Sequence, residues 1–122
     1  MEKTVLIVDD SNTNVFLLQS ILETEGIKSS AAVNGKEAFD FLETHKPSLI
    51  LLDIMMPDKD GFKVLEELKS KPEMKNIPVV FITAKSESNI RKIAIEAGAT
   101  ELIHKPIDVE SLIKMVKSIL LN

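Results

Sequence analysis

A chain of 122 residues, 44% hydrophobic and 28% charged, suits a single globular domain around one core. A net charge of −4 leaves no cationic surface for a phosphate backbone, and five Phe with no Tyr or Trp are poor equipment for stacking bases, so direct nucleic-acid binding is not expected. The absence of cysteine excludes a disulfide framework and a thiolate metal site, and no apolar run approaches bilayer-spanning length.

In chain order, Thr4 to Val8 reads as a first strand. Ser11 and Asn12 offer a helix cap, Val15, Leu18 and Leu22 share one helical face, and Gly26 stands where a helix-ending glycine belongs. Ile27 to Val33 is a weaker strand, and Asn34-Gly35 turns into a helix through Ala38, Phe41 and Leu42, with Pro47 as its stop. Leu49 to Asp53 is strand three, after which Gly61 opens a helix carrying Phe62, Leu65 and Leu68, with Pro72 just beyond. Ile77 to Ile82 is strand four. Ile90, Ile93, Ala94 and Ala97 mark a helix closed by Gly98. Glu101 to His104 is a short fifth strand, and Asp108 caps a last helix with Leu112, Met115, Val116 and Ile119 inward.

Five strand-helix units in tandem predict an α/β fold, a parallel sheet with helices on both faces. Strands one, three and four are continuous apolar runs, as strands buried on both faces should be. Right-handed crossovers bring every strand's carboxyl end to one edge, where sites form in open α/β sheets. That edge collects Asp9, Asp10, Asp53, Thr83 and Lys105.

Three carboxylates and one ammonium carry a net charge of about −2, and two carboxylates about 5 Å apart repel by about 3 kcal/mol at an effective dielectric of about 20. Such a cluster is tolerable where a cation belongs. With oxygen ligands only, and few of them, Mg²⁺ fits better than Ca²⁺ or Zn²⁺. Lys105 adds a fixed positive charge, Thr83 a hydroxyl and the Ala84 N–H a backbone donor. These are the parts that stabilise a phosphoryl group in transfer, and a carboxylate among them can act as nucleophile.

The set Asp9-Asp10, Asp53, Pro57, Asp60-Gly61, Thr83-Ala84 and Lys105-Pro106, in this order, resembles the receiver domain of two-component response regulators, the chemotaxis-Y-like family, over essentially the whole chain. The resemblance implies a flavodoxin-like (βα)5 three-layer sandwich with sheet order 2-1-3-4-5. It implies one receiver domain over residues 1–122 with no output domain. Asp53 would accept a phosphoryl group from a sensor histidine kinase or a histidine phosphotransfer protein. Asp10 would bind Mg²⁺ directly and Asp9 mainly through water, with Asp53 and the Met55 backbone carbonyl completing the protein ligands. Thr83 and the Ala84 N–H would contact the phosphoryl oxygens, Lys105 would pair with Asp53 and then with the phosphoryl group, and the Lys105–Pro106 peptide would be cis. The implied protein is a phosphoacceptor that assists its own phosphorylation and dephosphorylation rather than an enzyme acting on others. It would be cytoplasmic, consistent with a Met1-Glu2-Lys3 opening that lacks a signal-peptide pattern. It would act on an unidentified downstream effector, without membrane contact, as a monomer or a phosphorylation-dependent dimer.

Taken singly, these residues have plainer readings: Asp9-Asp10 as a solvated strand-end pair, Asp53 as a turn cap, Thr83 as a turn residue, Lys105 as a surface lysine lying over apolar neighbours. Their convergence on one edge favours a site. A dehalogenase-type phosphatase would need a second Asp where Met55 stands, and a flavin mononucleotide module would need a phosphate cradle where Asp9-Asp10 would repel it. A receiver-like docking module that works without phosphorylation is the alternative. His45 and His104 are not at metal-ligand spacing, and His104 reads as a strand residue without a chemical role. The chain departs from the family at Leu102, where an aromatic residue is usual three places before the Lys. Met55 and Lys85, two past Asp53 and two past Thr83, occupy the positions expected to tune the life of the phosphoryl group.

Overall fold

A computed structural model of the chain describes residues 3–56 and 60–121. Strands and helices alternate as β1 (Thr4–Val8), α1 (Asn12–Thr24), β2 (Lys28–Ala32), α2 (Gly35–Leu42), β3 (Leu49–Asp53), α3 (Gly61–Ser70), β4 (Val79–Thr83), α4 (Ile90–Glu96), β5 (Glu101–His104) and α5 (Val109–Leu120). The strands form one parallel sheet in the order β2-β1-β3-β4-β5. This is the flavodoxin-like order the resemblance implied.

The strand sequences follow from these places. β1, β3 and β4 are interior strands, and β3 and β4 are buried along their whole length, so they tolerate no polar face. At the sheet edge β2 buries only Ala32, and its serines and lysine reflect that. Within each buried strand, successive side chains serve opposite cores. Leu6, Val8, Ile50, Leu52, Phe81 and Leu102 join Leu42 of α2, Leu65 of α3 and Ala94 of α4 on one face. Val5, Ile7, Leu49, Leu51, Val80 and Ile103 join Leu18 of α1 and Val116 of α5 on the other.

The helix ends obey local chemistry. Ser11, Asn34, Asp60 and Asp108 each accept a backbone N–H from the first turn of their helices. Gly26, φ +72°, and Gly98, φ +111°, carry the chain out of α1 and α4 through the left-handed region. Some boundaries differ from the sequence reading. β2 is shorter by a residue at each end because, as an edge strand, it pairs with β1 alone. β4 starts at Val79, not Ile77, since Pro78 precedes it, and it runs on to include Thr83. α2 ends at Leu42, well before Pro47, where Thr44 and His45 turn their N–H groups back to the Phe41 carbonyl. In α4 only Ile90 and Ala94 are buried, while Ile93 faces outward.

One close approach positions the loop after β3. The Gly61 N–H donates to the Ile54 carbonyl at 2.8 Å. A Cβ on Gly61 would lie 2.6 Å from the Asp53 carbonyl oxygen and 2.8 Å from Ile54 Cα. Only glycine lets the start of α3 seat directly against the end of β3.

Candidate functional site

The carboxyl ends of β1, β3 and β4 lie side by side in the sheet. At the end of each sits a buried polar side chain, Asp9, Asp53 and Thr83, in an otherwise apolar interior. All three make the same local turn. The Ser11 N–H donates to Asp9 Oδ1 at 2.9 Å, the Met55 N–H to Asp53 Oδ1 at 3.2 Å, and the Lys85 N–H to Thr83 Oγ1 at 2.9 Å. Each side chain is thus held by a backbone donor two residues on, a geometry Asp and Thr adopt readily at chain turns.

The second oxygens of the two buried carboxylates face one ammonium group. Lys105 Nζ lies 3.8 Å from Asp9 Oδ2 and 3.9 Å from Asp53 Oδ2. Lys105 is therefore shared between them rather than paired with Asp53 alone. The strand ends set its place, since the Lys105 N–H donates to the Thr83 carbonyl at 2.8 Å. The following Lys105–Pro106 peptide is cis. Asp10 is exposed, yet it reaches the same point, so that Asp9, Asp10 and Asp53 each bring a carboxylate oxygen within 4.8 Å of the others.

Burial raises the Asp53 pKa above the ordinary carboxylate value, and the Asp9 charge pushes it further. Lys105 and the Met55 N–H pull it back, and Asp10 adds a smaller upward push. Burial together with the Asp9 and Asp10 charges outweighs the pull of Lys105 and the Met55 N–H. The donor set fits a small hard cation: among the described residues it consists of three carboxylates whose oxygens lie close together, with no histidine or cysteine in the group, and the Lys105 ammonium offsets only part of their charge.

The other residues singled out from the sequence fall around this cleft. Met55 is largely exposed, and its N–H donates to Asp53 Oδ1. Ala84 is exposed and Lys85 half-buried in the loop following β4. Lys85 shares with Met55, Ile54, Met56, Asp60 and Phe62 a surface cavity of about 380 Å³. Leu102 is buried, packed with the core on the α2, α3 and α4 face. Pro57 lies outside the described residues. The sequence reading overlooked His104, whose Nδ1 lies 3.1 Å from the Lys85 carbonyl oxygen. Only the pairing of β5 with β4 brings the two together, since nineteen positions separate them in the chain. No helix among the described residues is long and apolar enough to cross a membrane.

Comparison with known proteins places these features in context. The profile of the family described as "Response regulator receiver domain" matches residues 5–117. The response regulator PleD of Caulobacter vibrioides is 40% identical over 119 residues, covering 98% of this chain and 26% of PleD, so the chain spans about a quarter of that relative. The polar-differentiation response regulator DivK of Brucella anthropi is 36% identical over 120 residues, 98% of either chain. Among solved structures, a putative response regulator from Chloroflexus aurantiacus superposes with a TM-score of 0.93 over the full length of both chains at 29% identity. The signal receiver domain of a signal transduction histidine kinase from Syntrophus aciditrophicus gives 0.89 at 36% identity, over 98% of this chain and 90% of that one.

Proposed function

Since the chain belongs to the response regulator receiver domain family of two-component systems, we propose that it is a signalling switch whose phosphoacceptor is Asp53. The observation that carries this reading is the Asp53 carboxylate itself: buried, raised in pKa, held at one oxygen by the Met55 N–H, and turned at the other toward Lys105. A carboxylate kept from full solvation and oriented by fixed donors is a competent nucleophile for phosphorus. The phosphodonor is a phosphohistidine of a sensor kinase or phosphotransfer protein. The Asp53 oxygen bonds to phosphorus as the bond to the histidine nitrogen breaks, and the histidine keeps that electron pair.

Each neighbour has a part in this step. The Lys105 ammonium, already shared by Asp9 and Asp53, balances charge that builds on the phosphoryl oxygens. Thr83 offers its O–H to one of those oxygens, swinging toward it and away from the Lys85 N–H that its Oγ1 accepts from in the resting protein, while the Ala84 N–H adds a backbone donor. Asp10, Asp9, Asp53 and the Met55 carbonyl would hold Mg²⁺, which supplies positive charge to the transferring group and to the carboxylate cluster. Asp9 and Ser11 keep the cluster in place through the turn at the end of β1. Hydrolysis of the aspartyl phosphate in the same cleft resets the switch, and a cytoplasmic kinase and an effector complete the circuit.

Incubation of the protein with acetyl phosphate and Mg²⁺, followed by intact mass measurement, tests the assignment. One added phosphoryl group is expected, lost on chelation of the metal and in Asp53→Asn. An unmodified wild-type protein would favour the phosphorylation-independent docking module instead.

A further inference from the structure

We propose that His104 is a positioning residue that ties the loop after β4 to the sheet in the resting state and lets go when Asp53 is phosphorylated. The proposal rests on the reading of Asp53 and Thr83 given above, and extends it from the cleft to the loop that leads into α4.

Lys85 is held at both ends of its own backbone. Its N–H donates to Thr83 Oγ1 at 2.9 Å, and its carbonyl oxygen lies 3.1 Å from His104 Nδ1. A carbonyl only accepts, so the His104 Nδ1 carries the proton in this arrangement. Thr83 and His104 are themselves directly opposite each other in the pairing of β4 with β5. Two facing strand-end residues therefore grip the two polar groups of one loop residue. Among the described residues, these are the hydrogen bonds that tie the loop from Ala84 to Asn89 to the strands. The other loop bonds are local, from the Ile90 N–H to the Glu87 carbonyl and from the Ile93 N–H to the Asn89 carbonyl.

The His104 ring has no burial to order it. It is exposed, whereas Leu102, two residues earlier on the same strand and hence on the same face, is buried. The hydrogen bond to Lys85 is what orients the imidazole. When the Thr83 side chain turns to a phosphoryl oxygen on Asp53, the Lys85 N–H loses its acceptor, and the φ and ψ of Lys85, which join that N–H to the carbonyl in the next peptide, are free to change. The Lys85 carbonyl then leaves His104 as well. Thr83, Lys85 and His104 thus form a chain of contacts through which the acceptor site reaches the outer edge strand and the segment before α4. A bond present only in the resting arrangement favours that arrangement, so its removal shifts the protein toward the activated one.

The test follows the imidazole proton by long-range ¹H–¹⁵N NMR of the full chain in mildly alkaline buffer, with the same buffer for every state. The chain is compared alone and with Mg²⁺ and beryllium fluoride, an imitation of the phosphoryl group. The resting protein should show the proton on Nδ1, and the beryllium fluoride form should show it chiefly on Nε2, with faster exchange of the Lys85 amide. Persistence of the Nδ1 proton in both states would overturn the proposal. His104→Ala should lower the beryllium fluoride concentration for half-saturation about fivefold, the effect of one net hydrogen bond. His104→Asn, whose Nδ2 donates from the same distance along the side chain, should restore the wild-type value. Equal half-saturation in all three proteins would also overturn it. Failure of acetyl phosphate to modify Asp53 at all would strike the reading of the acceptor itself and the proposal with it. A protein that is modified normally but keeps its Nδ1 proton would refute the tie alone.

Discussion

Burial and the neighbouring Asp9 charge both oppose the ionisation of Asp53. The native fold holds its proton more tightly than an unfolded chain does, because burial and Asp9 raise its pKa. Unfolding stability of the metal-free protein therefore falls as pH rises from the ordinary Asp value of about 3.9 through the raised native value, and levels off above it. Asp53→Asn removes that loss. In chelator the variant should exceed wild type by on the order of 1 kcal/mol at neutral pH, the repulsion from Asp9 and Asp10 outweighing the lost attraction to Lys105. Thermal melts across a pH series would check this: the gap should close as pH drops below about 4. A wild-type protein that stays the more stable at neutral pH would show that Lys105 dominates.

Among the elements, the loops that follow β3 and β4 have more functional weight than the strands that present them. The β3 loop depends on Gly61, whose N–H closes it onto Ile54 and whose missing Cβ gives room to the Asp53 carbonyl. Gly61→Ala forces backbone apart and should cost about 2 kcal/mol or more, seen as a lower urea midpoint, with slowed phosphorylation because Asp53 shifts with its loop. The β4 loop meets it across the cavity shared by Met55 and Lys85. Neither side chain suits the placing of an attacking water, one being a thioether and the other a cation. The phosphorylated protein should accordingly be long-lived. Met55→Asn combined with Lys85→Glu should hasten its decay severalfold, as followed by intact mass after removal of acetyl phosphate. The helix after this loop is a suitable mobile part: α4 has seven residues, no side-chain cap at Asn89, two buried residues, and an Arg91–Glu101 ion pair tying it to β5.

For the molecule as a whole, the carboxylate cluster is a stability deficit that a bound cation would offset. Mg²⁺ binding to the native cleft and not to the unfolded chain should raise the melting temperature, by an amount equivalent to about 2.7 kcal/mol when the ion is at a hundred times its Kd. Asp10→Ala should abolish most of that rise while leaving the metal-free melting point equal or higher, since Asp10 is exposed and its charge opposes Asp53. A rise of the same size in Asp10→Ala would place the ion elsewhere. Leu102 bears on the same scale. It is already buried against the core shared by α3 and α4 and has no polar group to expose, so a structure of the beryllium fluoride form is expected to show backbone shift around α4 and β5 rather than a turned Leu102 side chain.

Periodicity and composition alone determined the class of fold and the gathering of Asp9, Asp10, Asp53, Thr83 and Lys105 at one edge, because parallel strands in right-handed units have their carboxyl ends on the same side. The flavodoxin-like strand order came from the family resemblance, and the hydrogen-bonded sheet carries it. What only the tertiary structure decided are contacts between residues far apart in the chain. Lys105 divides itself between Asp9 and Asp53, and His104 reaches Lys85. Local sequence patterns hold no record of such distances, since they depend on how β1, β3, β4 and β5 are set side by side. The three identical turns at Asp9, Asp53 and Thr83 were local enough to be found from sequence, but only burial of those side chains shows why the backbone donors matter there.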